Sequence, residues 1–194
     1  MVLGLTGGSG TGKSTASKYF SQKGFLVLDS DKIAHKVCTK GEKCMEEIVD
    51  AFGEAVVDSD GNLNRAVMRE IVFKNKEKLE LLNAITHKYI IKENLDIIAA
   101  NPDKNIVLDA PLLFEAGLGE VCTKTLCVLS DMDKRAERIM LRDGISGESA
   151  LLRLKSQPED EFYISRCDYV VYNNGNENDL IVQLDSIFGG FDDI

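Results

Sequence analysis

The sequence predicts an α/β fold: a doubly wound, five-stranded parallel sheet with a helical insertion and a lid. Three observations predict it. Five short apolar runs lack the polar alternation of half-exposed strands, as strands covered on both faces should. Amphipathic helical runs lie between most of them, and strand–helix alternation implies parallel strands. A glycine-rich turn joins the first strand to the first helix.

The predicted strands are Val2–Thr6, Phe25–Leu28, Ile106–Leu108, Thr125–Leu129 and Tyr169–Tyr172. The first helix is expected over Lys13–Gln22, where Ala16, Tyr19 and Phe20 share a face. Asp131–Arg142 carries acids in its first turn and arginine in its last, matching the helix dipole. Ser149–Gln157 and Asp179–Phe188 also read as helices. Between the second and third strands the rhythm breaks. Residues 32–101 contain no convincing strand, but they hold helical runs at Glu42–Phe52, Arg65–Phe73 and Glu77–Ala99, separated by Gly41, Gly53 and the turn Asp58–Asn62. This stretch is too long for a crossover connection. A single domain is therefore expected, with a core over about 1–31 and 102–194, a helical substrate-binding insertion over about 32–101 and a lid over about 138–160. The alternative for the insertion is extra helices that only thicken the core.

The turn Gly7-Gly8-Ser9-Gly10-Thr11-Gly12-Lys13-Ser14 satisfies G-x-x-x-x-G-K-[ST], the phosphate-binding P-loop, between the strand and helix that this motif requires. Glycines let successive N–H groups curl around a phosphate at a helix N-terminus. Gly8, Gly10, Thr11, Gly12, Lys13, Ser14 and Thr15 are the candidate ATP-binding residues. Lys13 is expected to reach the β- and γ-phosphates, Ser14 to ligate Mg²⁺ and Thr15 to contact the α-phosphate. The fold expected is thus P-loop kinase-like.

Composition narrows the partners. With 23 basic and 32 acidic residues the net charge is −9, so nucleic acid and anionic membranes are not expected partners. ATP must then meet a local basic cluster. No apolar run approaches the roughly 20 residues of a membrane helix, and a P-loop starting at Gly7 leaves no room for a cleaved leader. The five cysteines show no C-x-x-C spacing and read as reduced thiols. A cytoplasmic protein is expected, as a monomer or small homo-oligomer.

A GTPase is disfavoured. Asp58-Ser59-Asp60-Gly61 reads D-x-x-G but sits in a polar turn, and Asn75-Lys76-Glu77-Lys78 lacks the final aspartate of N-K-x-D. A small-molecule kinase fits better. The second strand ends in Asp29-Ser30-Asp31, where ligands of open α/β sheets bind. An aspartate there can orient an attacking hydroxyl, or Ser30 or Asp31 can simply cap the next helix. Arg135, Arg138 and Arg142 fall on one helical face, with Arg153 on the next helix. They can stabilise a transferring phosphoryl group or form a solvated surface. Gly144 and Gly147 between those helices suit a mobile lid.

With these residues in place the sequence closely resembles the dephospho-coenzyme A kinase family over nearly its whole length. Leu5–Thr15 matches its L-T-G-G-x-G-x-G-K-S-T, and Asp29-Ser30-Asp31 with Ile33-Ala34 and Val37 its more specific D-x-D-x-I-A-x-x-V. Asp60-Gly61 with Arg65, Ala110–Glu115, Arg138 with Arg142-Asp143, Arg153 with Gln157, and Asp168–Gly175 are similar to its remaining motifs. Cys167 stands where alanine is usual, and Lys88 follows His87 where proline often does. The resemblance implies ATP-dependent phosphorylation of the 3′-hydroxyl of dephospho-coenzyme A, the last step of coenzyme A synthesis. It implies Asp31 as the catalytic aspartate, Arg138 and Arg142 as assistants of phosphoryl transfer, the insertion as the holder of the coenzyme A portion, and Asn174 and Gly175 at the adenine. The alternatives are a nucleotide-binding regulatory protein without turnover, or a kinase of another small acceptor.

Overall fold

The computed structural model describes residues 1–190; the last four, which the expected core segment 102–194 includes, lie outside the described residues. Five parallel strands form one sheet in the order β2-β3-β1-β4-β5: β1 Val2–Thr6, β2 Leu26–Asp29, β3 Ile106–Asp109, β4 Lys124–Leu129 and β5 Tyr169–Tyr172. β2 and β3 each run one residue past the predicted end, so Asp29 and Asp109 are strand residues.

The chain forms two compact units. The first contains Met1–Val27, Asp103–Leu113 and the chain from Leu118 onward. Its helices are α1 Lys13–Gln22, α6 Met132–Asp143, α7 Gly147–Lys155, α8 Asp160–Ile164 and α9 Glu177–Phe188. Alternation within β4 explains why both faces are covered. Leu126 and Val128 join Leu3, Leu5, Phe20, Val171 and Leu184 in one buried cluster under α1 and α9, whereas Cys127 and Leu129 pack with Tyr163 of α8. Phe20 is fully buried, which contributes about 1.5–3 kcal/mol. Gly4 permits tight packing on β1, since a Cβ there would lie 2.8 Å from both Cys122 Sγ and a Leu113 methyl.

β5 is an edge strand. Gln183 of α9 accepts from Tyr172 N–H at 3.0 Å and donates to Tyr172 C=O at 2.8 Å. The Asp168 carboxylate accepts from Thr125 N–H (2.8 Å), Thr125 Oγ1 (2.9 Å) and Lys124 Nζ (3.0 Å), fixing β5 beside β4.

The second unit contains Leu28–Pro102 and Phe114–Gly117. It is built from α2 Ser30–Lys36, α3 Lys43–Phe52, α4 Arg65–Phe73 and α5 Lys76–Ala99. Ile33, Met45, Ile48, Met68, Ile85 and Ile90 are buried in it. On its surface Lys36 of α2 pairs with Glu93 of α5 at 2.5 Å. Glu47 of α3 accepts from Lys88 (2.6 Å) and Tyr89 (2.9 Å) of α5. The predicted Asp58–Asn62 turn is made by the Asp58 carboxylate, which accepts from the N–H groups of Asp60 and Asn62 at 2.9 Å. All five cysteines are free thiols.

Candidate active site

β1 ends at Thr6, and the chain reaches α1 through Gly7–Gly12. Gly12 is the N-cap of α1 at φ 100°, and its N–H and those of Lys13 and Ser14 have no partner among the described residues. Unpaired amides at a helix N-terminus form an anion site. A side chain at Gly12 would be strained by its positive φ and would collide with the Asn173 amide. Gly10, at φ 77°, is equally restricted, because a Cβ would lie 2.7 Å from the backbone oxygen of Arg135. Ser14 is exposed, Thr15 is half-buried, and Thr11 is buried with its hydroxyl donating to Gly8 O at 2.9 Å.

Lys13 Nζ donates to the carboxylate of Asp109 at the end of β3. β3 neighbours β1, with Asp109 in register with Leu5, so the sheet itself places this carboxylate beside the loop. The lysine and aspartate side chains are 18% and 12% exposed, so water screens the pair only weakly.

The three arginines of α6 share a face but do different things. Arg135 is buried; its Nε donates to Ser9 O (3.0 Å), its Nη2 to Gln157 Oε1 (2.7 Å), and it lies 3.7 Å from Asp160. Burial pushes its pKa down, and Asp160 opposes this. Gln157 completes the bracket, accepting from Ser9 N–H at 3.0 Å and donating to Ser9 Oγ at 2.7 Å. Arg138 Nη1 donates to Gly10 O and Ser130 Oγ, both at 3.1 Å, and Nη2 donates to Asn173 O at 2.8 Å. Arg142, at the exposed end, forms a fork on its neighbour Asp143 at 2.7 and 2.9 Å, and Arg153 of α7 binds the same carboxylate. Hydrogen bonds from Arg142 and then Arg153 hold the Asp143 carboxyl well below the usual range.

Beyond β5, Asn173 is buried and its Nδ2 donates to Thr11 O at 2.8 Å. Asn174 is exposed and exchanges two hydrogen bonds with Asp131, at 2.8 and 2.9 Å, across the strand ends of β4 and β5. Gly175 follows where a Cβ would collide with Asp179. The loop residues 8–15, Arg138 and Asn174 with Gly175 therefore occupy one end of the sheet, at the carboxyl ends of its strands.

Asp31 belongs to the helical unit. The cap of α2 is neither Ser30 nor Asp31 but Asp29, whose carboxylate accepts from the N–H groups of Asp31 and Lys32 at 3.1 Å. The Asp31 carboxylate is exposed and unpaired among the described residues. His87 lies on α5 in the same unit; burial pushes its pKa down, with Glu115 opposing. Sequence reasoning passed over Asn173 and Gln157 except as letters of a motif. For Asn173 the available signal was its place as the first residue beyond β5, since ligands of open sheets bind outside strand carboxyl ends.

A model of the dephospho-CoA kinase family matches residues 1–179. The dephospho-CoA kinase of Fusobacterium nucleatum is 44% identical over 185 residues, covering 95% of each chain. A crystal structure from Thermus thermophilus superposes with a TM-score of 0.83 at 32% identity, over 98% of this chain and 97% of that one. The dephospho-CoA kinase from Campylobacter jejuni gives 0.70 at 27% identity over 98% of both chains.

Proposed function

The chain belongs to the dephospho-CoA kinase family, whose reaction is the ATP-dependent phosphorylation of dephospho-CoA in coenzyme A synthesis, and from that premise we propose how its residues carry the reaction out. The acceptor is the ribose 3′-hydroxyl. Its oxygen attacks the γ-phosphorus, the bond to the β–γ bridging oxygen breaks, ADP leaves, and the hydroxyl proton passes to the Asp31 carboxylate. A free, exposed Asp31 supports this, because Asp29 already does the capping. The observation that carries the reading is the run of unpartnered amides from Gly12 to Ser14 beside Lys13.

Lys13 exchanges Asp109 for the β- and γ-phosphates when ATP binds. Gly8, Gly10, Thr11 and Gly12 offer the loop backbone, and Thr15 meets the α-phosphate. Arg142 turns from Asp143 to the transferring group, while Arg138 assists through the loop that it holds. Asn174 and Gly175 border the adenine. The helical unit holds the coenzyme A portion of the acceptor, and residues 138–160 act as the lid.

Among the described residues no group of three or more His, Cys, Asp or Glu side chains could hold a metal ion. Mg²⁺ takes few protein ligands and shares phosphate oxygens. The exposed hydroxyl of Ser14 would hold it. When bound, it supplies charge neutralisation on the phosphate oxygens. Among the described residues no helix is long and apolar enough to cross a membrane. The five free thiols support a cytoplasmic enzyme. A coupled assay of ADP release tests the reading. Release is expected only with ATP, Mg²⁺ and dephospho-CoA together. Turnover with shikimate or a nucleoside monophosphate, and none with dephospho-CoA, would overturn it.

A further inference from the structure

The phosphate loop is held from behind by side chains outside its own motif. Arg135 Nε reaches Ser9 O at 3.0 Å, Arg138 Nη1 reaches Gly10 O at 3.1 Å, and Asn173 Nδ2 reaches Thr11 O at 2.8 Å. These are successive carbonyls. A trans peptide is planar, and its C=O and the following N–H point in opposite directions. Anchoring the carbonyls of Ser9, Gly10 and Thr11 therefore turns the N–H groups of Gly10, Thr11 and Gly12 to the other side. Of these, Gly10 and Gly12 have no hydrogen-bond partner among the described residues, and Thr11 has only a 3.4 Å contact to Gly8 O.

We propose that Arg135, Arg138 and Asn173 are positioning residues that aim the amides of the phosphate loop at the triphosphate before ATP arrives. The glycines that let the loop take this shape would also let it take many others, so something outside the loop must select one. The anchors come from α6, which begins at Met132 just after β4 ends at Leu129 and packs on α7, and from the residue after β5. They are also tied to one another: Arg138 Nη2 and Ser130 Oγ both donate to Asn173 O at 2.8 Å. Preset donors bind without reorganising when the anion arrives. Two guanidinium groups among the anchors place fixed positive charge behind the loop.

The inference rests on the reading that ATP phosphates bind at Gly8–Thr15, and the test separates the two. ATP and adenosine affinities are measured for the wild type, Asn173→Ala and Arg138→Lys, together with Tm. Adenosine lacks the phosphates, so loss of a loop anchor should leave its affinity within about twofold while the Kd for ATP rises about tenfold, the size of one well-placed hydrogen bond. Arg138→Lys keeps the charge but not the fork that spans Gly10, Ser130 and Asn173, and should show the same split. A folded variant with unchanged ATP affinity, or an equal loss for ATP and adenosine, would overturn the proposal. So would failure of both variants to fold, which would make these residues scaffold only. A wild-type chain that binds adenosine but not ATP would instead sink the phosphate-site reading itself.

Discussion

Lys13 and Asp109, 96 positions apart in the chain, meet through a hydrogen bond from the ammonium to the carboxylate beside the phosphate loop. The sheet register brings them together, because β3 runs beside β1 and delivers Asp109 opposite Leu5. The lysine charge beside the loop is thus already in place and neutralised by Asp109.

Lys13→Ala should lower kcat by on the order of 10²–10³-fold, the usual loss for a group that meets charge developing in the transition state. Asp109 then keeps its carboxylate without a cation, so a modest fall in Tm is expected alongside. Steady-state kinetics and thermal melts check both, and near-normal turnover would refute the role of Lys13.

Asp31→Asn should be nearly inactive yet bind ATP and dephospho-CoA, because asparagine keeps the size but takes no proton. Its Tm should be unchanged, since α2 is capped by Asp29. Asp29→Ala is the contrasting variant: loss of the cap should cost about 0.5–2 kcal/mol of stability. An Asp31→Asn enzyme that keeps most of its kcat would rule out the carboxylate as proton acceptor.

Arg142→Ala should lower kcat by on the order of 10³-fold or more while changing ATP affinity little, if the arginine meets the transferring group. A change confined to KM would make it a uniform binding residue. The depressed Asp143 pKa sets the pH behaviour of its resting pair. The stability that the pair contributes is complete above the ordinary carboxylate value of about 3.9 and is lost as pH falls through the lower folded value. Between pH 5 and 9 the Tm difference between the wild type and Arg142→Ala should therefore be constant.

His87 makes the opposite kind of contribution. Its pKa is pushed down by burial, so near and below pH 6.5, its ordinary value, the unfolded chain binds a proton that the folded chain does not. Stability should fall as pH drops through this region, and His87→Gln should flatten that part of a Tm–pH curve. An unchanged curve in the variant would show that His87 is not the titrating group.

Much of the site could be read from residues alone. The phosphate loop carried its own strand and helix, and the spacing of Arg135, Arg138 and Arg142 put them on one face. What spacing could not tell was where that face points. A helix periodicity is the same whether an arginine faces solvent or is buried against a loop 126 positions away, as Arg135 is against Ser9. Asn173 was hidden for the same reason, since its partner Thr11 lies 162 positions earlier. The short α8, Asp160–Ile164, was missed because five residues are too few to show a period. The cap lies at Asp29 because α2 starts directly after β2, at Ser30, so that Ser30 and Asp31 are already helical.

The side chain of Gln183 gives Tyr172 both a donor and an acceptor, which is what a neighbouring strand would give it. An amide from the protein's own last described helix thus stands in for a strand along this margin. A β-rich segment from another molecule would have to displace two hydrogen bonds before it could add on at Tyr172, so this margin is guarded against runaway strand-to-strand association.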